Sequence, residues 1–389
     1  MRMSDLDYHL PPTAIALRPA DPRDHSRLMV VPRRRGGGGD SAATHRHFYN
    51  LPEFLRPGDL LVTNNTRVLP AKLLLKKQTG AAIPGLFVEE KAPGLWEVML
   101  RTRGKVREGD QLAAAGHPYA FALEKRLGEG LWQVRVDPAD PAPKVLDTIG
   151  AMPIPPYIEK ARKEHDAHLQ PGTEEPWQEE DRAWYQTVFA AAVAQGSPAA
   201  PVNPTPPESR SVAAPTAGLH FTPELLAKVH DMGVEHVHVE LNVGLGTFLP
   251  VETETLEEHV MHTEHYRVPA ATVSALRTAR AHGGRIVVVG TTAVRTLESA
   301  AGQILDSATP PADLAGTTAL KIMPPYRFRL TDALITNFHL PKSTLMALVS
   351  AYLQPGDTED GVPRLKALYA EAVRHGYRFY SYGDAMLIA

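Results

Sequence analysis

Cysteine is absent from all 389 residues. That excludes disulfides, thiolate zinc sites, iron–sulfur clusters and a cysteine nucleophile, so chemistry falls to His, carboxylates, Lys, Arg, Ser, Thr, Tyr or a substrate's own reactivity. Long apolar runs are missing too: no stretch approaches the roughly eighteen residues of a membrane span. The N-terminal "MRMSDLDYHLPP" has neither an apolar signal core nor an Arg/Ser-rich transit pattern, which makes the cytoplasm the expected compartment. No large excess of one charge exists, since the formal net charge is −3. Nor is there an internal repeat at a solenoid period.

What remains is ordinary globular material, 43% hydrophobic and 22% charged, long enough for two or three domains. Charge clusters locally. From Thr66 to Arg135 there are 12 Lys/Arg against 7 Asp/Glu, and Arg33, Arg34 and Arg35 run directly into four glycines. Two readings stand side by side, a face for a polyanion such as RNA and a merely solvated charged surface.

Residues 59–136 read as short strands, "DLLVTN", "AKLLLKKQ", "IPGLFVEE", "LWEVMLRTR", "YAFALEKR" and "LWQVRVD", divided by Gly- and Pro-bearing turns. Period-two alternation in Leu95–Arg101 and Trp132–Val136 fits half-buried strands, and the spacing predicts a small antiparallel barrel. "DPADPAPK" (137–144) reads as a linker. From about Gly150 the texture is α/β: "HVHVELNVGLGTF", "GGRIVVVGTTAVRTLESAA" and "ALITNFHLPKSTLMALVSAYL" are strand, loop and helix patterns that imply a buried sheet with flanking helices. "EKARKEHDAHLQPGTEEPWQEED" and "AQGSPAAPVNPTPPES" read as flexible surface insertions.

Four segments concentrate chemistry. In "SVAAPTAGLHFTPELL", Thr222 and Pro223 fit an N-cap and first helical position, and the small residues before them make either a ligand site or a tightly packed buried turn. "NVGLGTF" has Gly244 and Gly246 but lacks the third glycine of a dinucleotide fingerprint. "VGTTAVRTLES" sets Gly290, Thr291 and Thr292 at a strand's carboxyl end, where ligands of open α/β sheets bind; the bland alternative is a threonine-capped helix with Arg295 and Glu298 paired at i, i+3. "TNFHLPKST" gathers Asn337, His339 and Lys342, with Asn337 suited to a heterocycle edge and Lys342 to a carboxylate or phosphate. In "EEHVMHTEHY", the spacing of His259, His262 and His265 does not keep one helical face, which favours an acid/base pair with Glu264 over a metal site.

Together "DLLVTNNTRVLPAKL", "MPIPPYI", "WYQTVFA", "SVAAPTAGLHFTPELL", "NVGLGTFLPV", "EEHVMHTEHY", "VGTTAVRTLES", "YRFRLTDALITNFHLPKSTLMALVSA" and "YRFYSYGDAMLI" resemble the S-adenosylmethionine:tRNA ribosyltransferase-isomerases of queuosine biosynthesis, in order from about Asp59 to the C-terminus. The resemblance implies a monomer with an α/β domain (1–64 and 150–389) and an inserted six-stranded barrel (65–149). It implies transfer of the ribosyl part of S-adenosylmethionine to a 7-aminomethyl-7-deazaguanine at the tRNA wobble position, with release of adenine and methionine and without a metal or redox cofactor. Departures from the family pattern are Asn65 for Asp, Asn242 for His and Pro325 for Gly, together with insertions near 162–180 and 191–210.

On this basis the donor pocket is expected from Pro215, Thr216, Ala217, Gly218 and Phe221, from Gly244, Gly246, Thr247 and Phe248, and from Gly290, Thr291, Thr292, Arg295, Asn337 and Lys342. His220, His262, Glu264 and His339 are the expected proton handlers. Arg33, Arg34, Arg35, Lys76, Lys77, Arg101 and Arg103 are the expected RNA contacts. A methyltransferase acting on RNA and a non-catalytic RNA-binding protein are the competing readings.

Overall fold

The computed structural model describes residues 1–33, 42–102, 106–128, 130–167, 177–190, 210–244, 253–354 and 361–389. Its strands are β1 (Arg27–Val31), β2 (Thr44–His47), β3 (Leu60–Asn64), β4 (Arg67–Val68), β5 (Lys72–Lys77), β6 (Ala82–Ala92), β7 (Leu95–Leu100), β8 (Gln111–Ala114) and β9 (Ala120–Gly128). They continue with β10 (Leu131–Asp137), β11 (Arg210–Ser211), β12 (Glu235–Leu241), β13 (Glu264–Val268), β14 (Ile286–Val289), β15 (Leu314–Thr318), β16 (Ala333–Asn337) and β17 (Ala385–Ile388).

The uninterrupted apolar runs Leu60–Val62 and Ile286–Val289 have no wet side and take central places in a nine-stranded mixed sheet, ordered β15-β13-β12-β3-β14-β16-β17-β1-β2. Strands β12, β3, β14 and β16 are parallel, with Val237, Val62, Val288 and Leu334 in one register layer. Those four side chains face a core completed by helices Thr291–Leu305 and Thr344–Leu353. Their chain neighbours Leu61, Val287 and Ile335 face the opposite core, built with Phe189, Phe221 and Leu225. One residue of slip would exchange the two faces, so burial fixes the register.

The antiparallel barrel closes in the order β10-β7-β6-β5-β8-β9. Alternating residues fill it, with Trp96 edge-on to Phe87 at 4.9 Å and to Phe121 at 5.8 Å. Strand β8 has no counterpart in the sequence reading, because four residues rich in alanine give little periodicity. The run "DLLVTN" forms β3, a strand of the main sheet and not of the barrel.

Two readings of loops need correction. The supposed linker contains the start of a helix, Ala142–Ile149, whose Ala142, Val145 and Leu146 join the barrel core. The acidic stretch near 159–181 is ordered where described, in helices Pro156–Asp166 and Trp177–Trp184. Buried Arg162 there holds Asp181 through two bonds of 2.7 and 2.8 Å, while Tyr382 donates to the same carboxylate at 3.0 Å. Charge patterning resembles a solvated loop when both partners of a buried pair are counted as surface residues. The second insertion, 191–209, lies outside the described residues. Among the described residues no helix is long and apolar enough to cross a membrane.

The barrel contacts the chain that leaves it where Lys72 of β5 pairs with Ala151. Gly150 fits there because it has no side chain: a Cβ would lie 1.8 Å from the Pro70 carbonyl oxygen and 2.6 Å from that of Leu146. Backbone on both sides leaves little room to yield. Gly150→Ala is expected to cost about 2–4 kcal/mol, read as a lowered urea midpoint. An unchanged midpoint would contradict this packing.

Candidate active site at the carboxyl edge of the sheet

Parallel strands end on a common edge, and the segments that leave β12, β14 and β16 therefore start side by side. A cavity of about 150 Å³ opens there. Val243 follows β12. Gly290, Thr291 and Thr292 follow β14, and Thr336, Asn337, Phe338 and His339 end and follow β16. The other walls are Ala213 to Ala217, Glu264, Arg295, Tyr157, Tyr185, Tyr380 and Ser381.

Gly290 has φ of 87° as the N-cap of helix Thr291–Leu305, a conformation that glycine adopts without Cβ strain. Asn337 is fixed at both ends, donating to the Tyr380 carbonyl at 3.1 Å and accepting from Thr216 at 2.9 Å. Tyr380 has φ of 72°, left-handed backbone that is uncommon for an aromatic residue, and this places it beside Tyr157 with ring centroids 4.6 Å apart. Tyr157 and Ser381 share a hydrogen bond of 2.6 Å. Burial pushes the Tyr157 phenol up to about 12, so it keeps its proton.

His339 is buried among these groups. Its Nε2 lies 2.9 Å from the Thr336 hydroxyl, its backbone N–H donates to Tyr369, and its carbonyl accepts from Tyr8. Nδ1 has no hydrogen-bond partner among the described residues. Desolvation pulls the imidazole down to about 4, so it is neutral at physiological pH.

Glu264 and Arg295 form a buried ion pair between Nη1 and Oε2. Arg295 also donates from Nε to the Leu320 carbonyl at 3.0 Å, while Nη2 is closed to solvent with no partner. The Arg295–Glu298 pairing of the alternative, threonine-capped-helix reading does not occur. Glu298 accepts instead from the backbone of Arg329 and Leu330 and from the Thr331 hydroxyl.

These features coincide with a clear kinship. The model of the queuosine biosynthesis protein family matches residues 3–388. The chain belongs to that family. It is 42% identical over 388 residues to the S-adenosylmethionine:tRNA ribosyltransferase-isomerase of Thermotoga maritima, covering 100% of both chains. The enzymes of that name from Caulobacter sp. (44%, 100% of this chain and 96% of the other) and Chlorobium chlorochromatii (41%, 100% of both) are similarly related.

Within this family member, the expected site residues divide. Pro215, Thr216, Ala217, Gly290, Thr291, Thr292, Arg295, Asn337, Glu264 and His339 line the cavity. His220 does not: it is core, stacked on Phe48 at 5.1 Å, with its two ring nitrogens 3.0 and 3.1 Å from the carbonyls of Ala217 and Gly383. Phe221 packs edge-on to Phe48, and a Cβ on Gly218 would lie 2.8 Å from the Phe189 ring, so the second half of that turn is packing. Gly244 and His262 are exposed outside the lining, and Lys342 pairs with Asp7 at 2.9 Å. Gly246, Thr247 and Phe248 lie outside the described residues.

Of the expected RNA contacts, Lys76 and Arg101 are exposed on the barrel, and Lys77 pairs with Asp110 at 3.3 Å. Arg33 packs over the Tyr352 ring at 4.2 Å, while Arg34, Arg35 and Arg103 are outside the described residues. Elsewhere, His45, Glu371 and His375 cluster, but the two imidazoles stack at 4.1 Å and 21°, so their in-plane lone pairs do not converge on one ion.

Tyr157, Tyr185, Tyr380 and Ser381 lie in "MPIPPYI", "WYQTVFA" and "YRFYSYGD", segments to which the sequence alone assigns no site role. The available signal was several hydroxyl residues around a glycine just before a terminal apolar strand.

The depressed histidine has a consequence for stability. Below about pH 6.5 the unfolded chain takes up a proton that folded His339 refuses, so stability falls as pH drops and the loss levels off near pH 4. The full effect is about 3 kcal/mol, and His238, likewise pulled down to about 4 by burial, adds to it. Urea unfolding between pH 7.5 and 4.5 should show this decline, and His339→Gln should flatten it by about one proton. An identical pH slope in the variant would contradict a buried neutral imidazole.

Proposed function

We propose that this protein transfers and isomerises the ribosyl moiety of S-adenosylmethionine onto the 7-aminomethyl-7-deazaguanine wobble base of tRNA, giving epoxyqueuosine-tRNA with release of adenine and methionine. Family membership supports this reading. The observation that carries it on the structural side is the meeting of segments from 155–157, 213–217, 264, 290–295, 336–340 and 380–381 around one cavity.

The reaction makes three demands. A base removes a proton from the 5′ carbon, acidified by the neighbouring sulfonium. A donor assists adenine as it leaves, and the incoming amine is held uncharged beside the ribosyl carbon. Neutral His339, with Nδ1 unpartnered, is our candidate for the base. Tyr157 retains its proton and, hydrogen-bonded to Ser381, leaves that pair one hydroxyl donor for the nucleobase. Asn337 is locked by Thr216 and Tyr380 and gives the site a fixed polar edge. No step requires a metal or a redox cofactor, and the donor is consumed as a substrate.

The tRNA would be held by the barrel. Lys72 of β5 pairs with Glu159 on the helix Pro156–Asp166, which also carries Tyr157 into the cavity. RNA held on the exposed barrel side at Lys76 and Arg101 would lie on the same barrel whose Lys72 contacts this helix. The protein would act as a monomer in the cytoplasm, where its tRNA is found.

Incubation with S-adenosylmethionine and tRNA carrying the precursor base should yield adenine and methionine in equal amounts, and His339→Gln should slow adenine release by about 10²-fold or more. S-adenosylhomocysteine as the product would instead make the protein a methyltransferase. A variant as fast as wild type would remove His339 from the mechanism.

The electrostatic role predicts that log affinity for tRNA falls linearly with log salt concentration. Lys76→Glu with Arg101→Glu should reduce that slope by about 1–2. A slope untouched by both changes would move RNA binding away from the barrel.

A further inference from the structure

The cavity has one acidic and one basic side chain among its described lining, Glu264 and Arg295. Their pairing is incomplete on both sides. Glu264 uses Oε2 for Arg295 and leaves Oε1 without a hydrogen bond among the described residues. Arg295, 7% exposed, spends Nε on Leu320 and Nη1 on Glu264, and its Nη2 donor is buried and unsatisfied. One turn earlier on the same helix, the buried Thr292 hydroxyl also has no partner. The first N–H groups of that 15-residue helix have no acceptors within it and add positive potential at the same wall.

Buried donors without acceptors cost free energy unless a ligand completes them. A single ion would complete one side and leave the pair with an uncompensated charge in a dry place. A zwitterion completes both.

The geometry points to an α-amino-acid clamp: Arg295 Nη2, Thr292 and the helix N-terminus take a carboxylate, and Glu264 Oε1 takes the neighbouring α-ammonium. The assignment rests on the ribosyl-transfer reading, in which the donor carries an α-amino acid at its sulfonium end. It removes Glu264 from the proton handlers, because a carboxylate committed to Arg295 and an ammonium is poorly placed to act as a base. It also replaces Lys342, bound to Asp7 on the surface, as the carboxylate anchor. The reacting ribose is then left toward His339 and Tyr157.

Calorimetric titration of the full chain with S-adenosylmethionine and with its decarboxylated analogue tests this. The analogue keeps adenosine, sulfonium and amine and lacks the carboxylate. Wild type should bind S-adenosylmethionine about 10–100-fold tighter than the analogue. Arg295→Gln should abolish that ratio, and Thr292→Val, which removes no internal hydrogen bond and so keeps the fold, should narrow it several-fold. Equal affinities in wild type, or a ratio that survives in Thr292→Val and in any folded Arg295→Gln, would overturn the clamp while adenine release continues to support the ribosyl-transfer reading. Failure of wild type to bind either ligand or to release adenine would overturn that reading and the clamp with it.

Discussion

The parallel register of β12, β3, β14 and β16 determines where every cavity segment begins. Val237, Val62, Val288 and Leu334 are fully or almost fully buried, and each contributes about 1.5–3 kcal/mol by leaving water. A cap such as Thr222, which accepts from the Leu225 N–H at 3.2 Å, contributes about 1 kcal/mol. Burial across the sheet therefore sets the positions of the strand ends, and local hydrogen bonds refine them. With the ends aligned, Val243, Gly290 and Asn337 become neighbours although 94 residues separate the first from the last.

Polar groups at this edge are held in ways that limit what each can do. Asn337 is bound at both ends of its amide, His339 is neutral with Nδ1 unpartnered, and Arg295 keeps one buried donor unsatisfied. Preorganisation of this kind reduces the reorganisation needed at the moment of reaction. The left-handed backbone at Tyr380 fits the same pattern, since strain tolerated at a wall of a cavity is tolerated where surrounding packing over-determines it. The barrel is a separate core, joined to this edge through Gly150, the Lys72–Ala151 bridge and the Lys72–Glu159 ion pair.

Much of this arrangement was legible from residues. Continuous apolar strands predicted a buried sheet, alternation predicted the barrel, and Thr222 with Pro223 marked a helix start that the structure contains. At the cavity, Gly290 to Thr292 stand out as a strand-to-helix turn at a sheet's carboxyl edge, and Asn337 and His339 as polar groups between two apolar runs; all five line it. What could not be read was orientation. His220 sits one turn from the cavity-lining Thr216 and Ala217, yet its ring points into the core against Phe48. Partners distant in sequence were equally hidden: Arg295 chose Glu264 over Glu298, and Arg162 chose Asp181 inside a stretch that composition alone presents as solvated. The tyrosine wall escaped because Tyr157, Tyr185 and Tyr380 come from three separate segments and converge only after folding.

Hydrogen exchange with and without S-adenosylmethionine shows whether these segments form one donor-binding cavity. Amides in 213–217, 290–295, 336–340 and 380–382 should then gain protection together, with the exposed loop around His262 unchanged. Protection confined to one of these segments, or appearing only near His262 or Lys342, would contradict a single cavity at the carboxyl edge of the sheet.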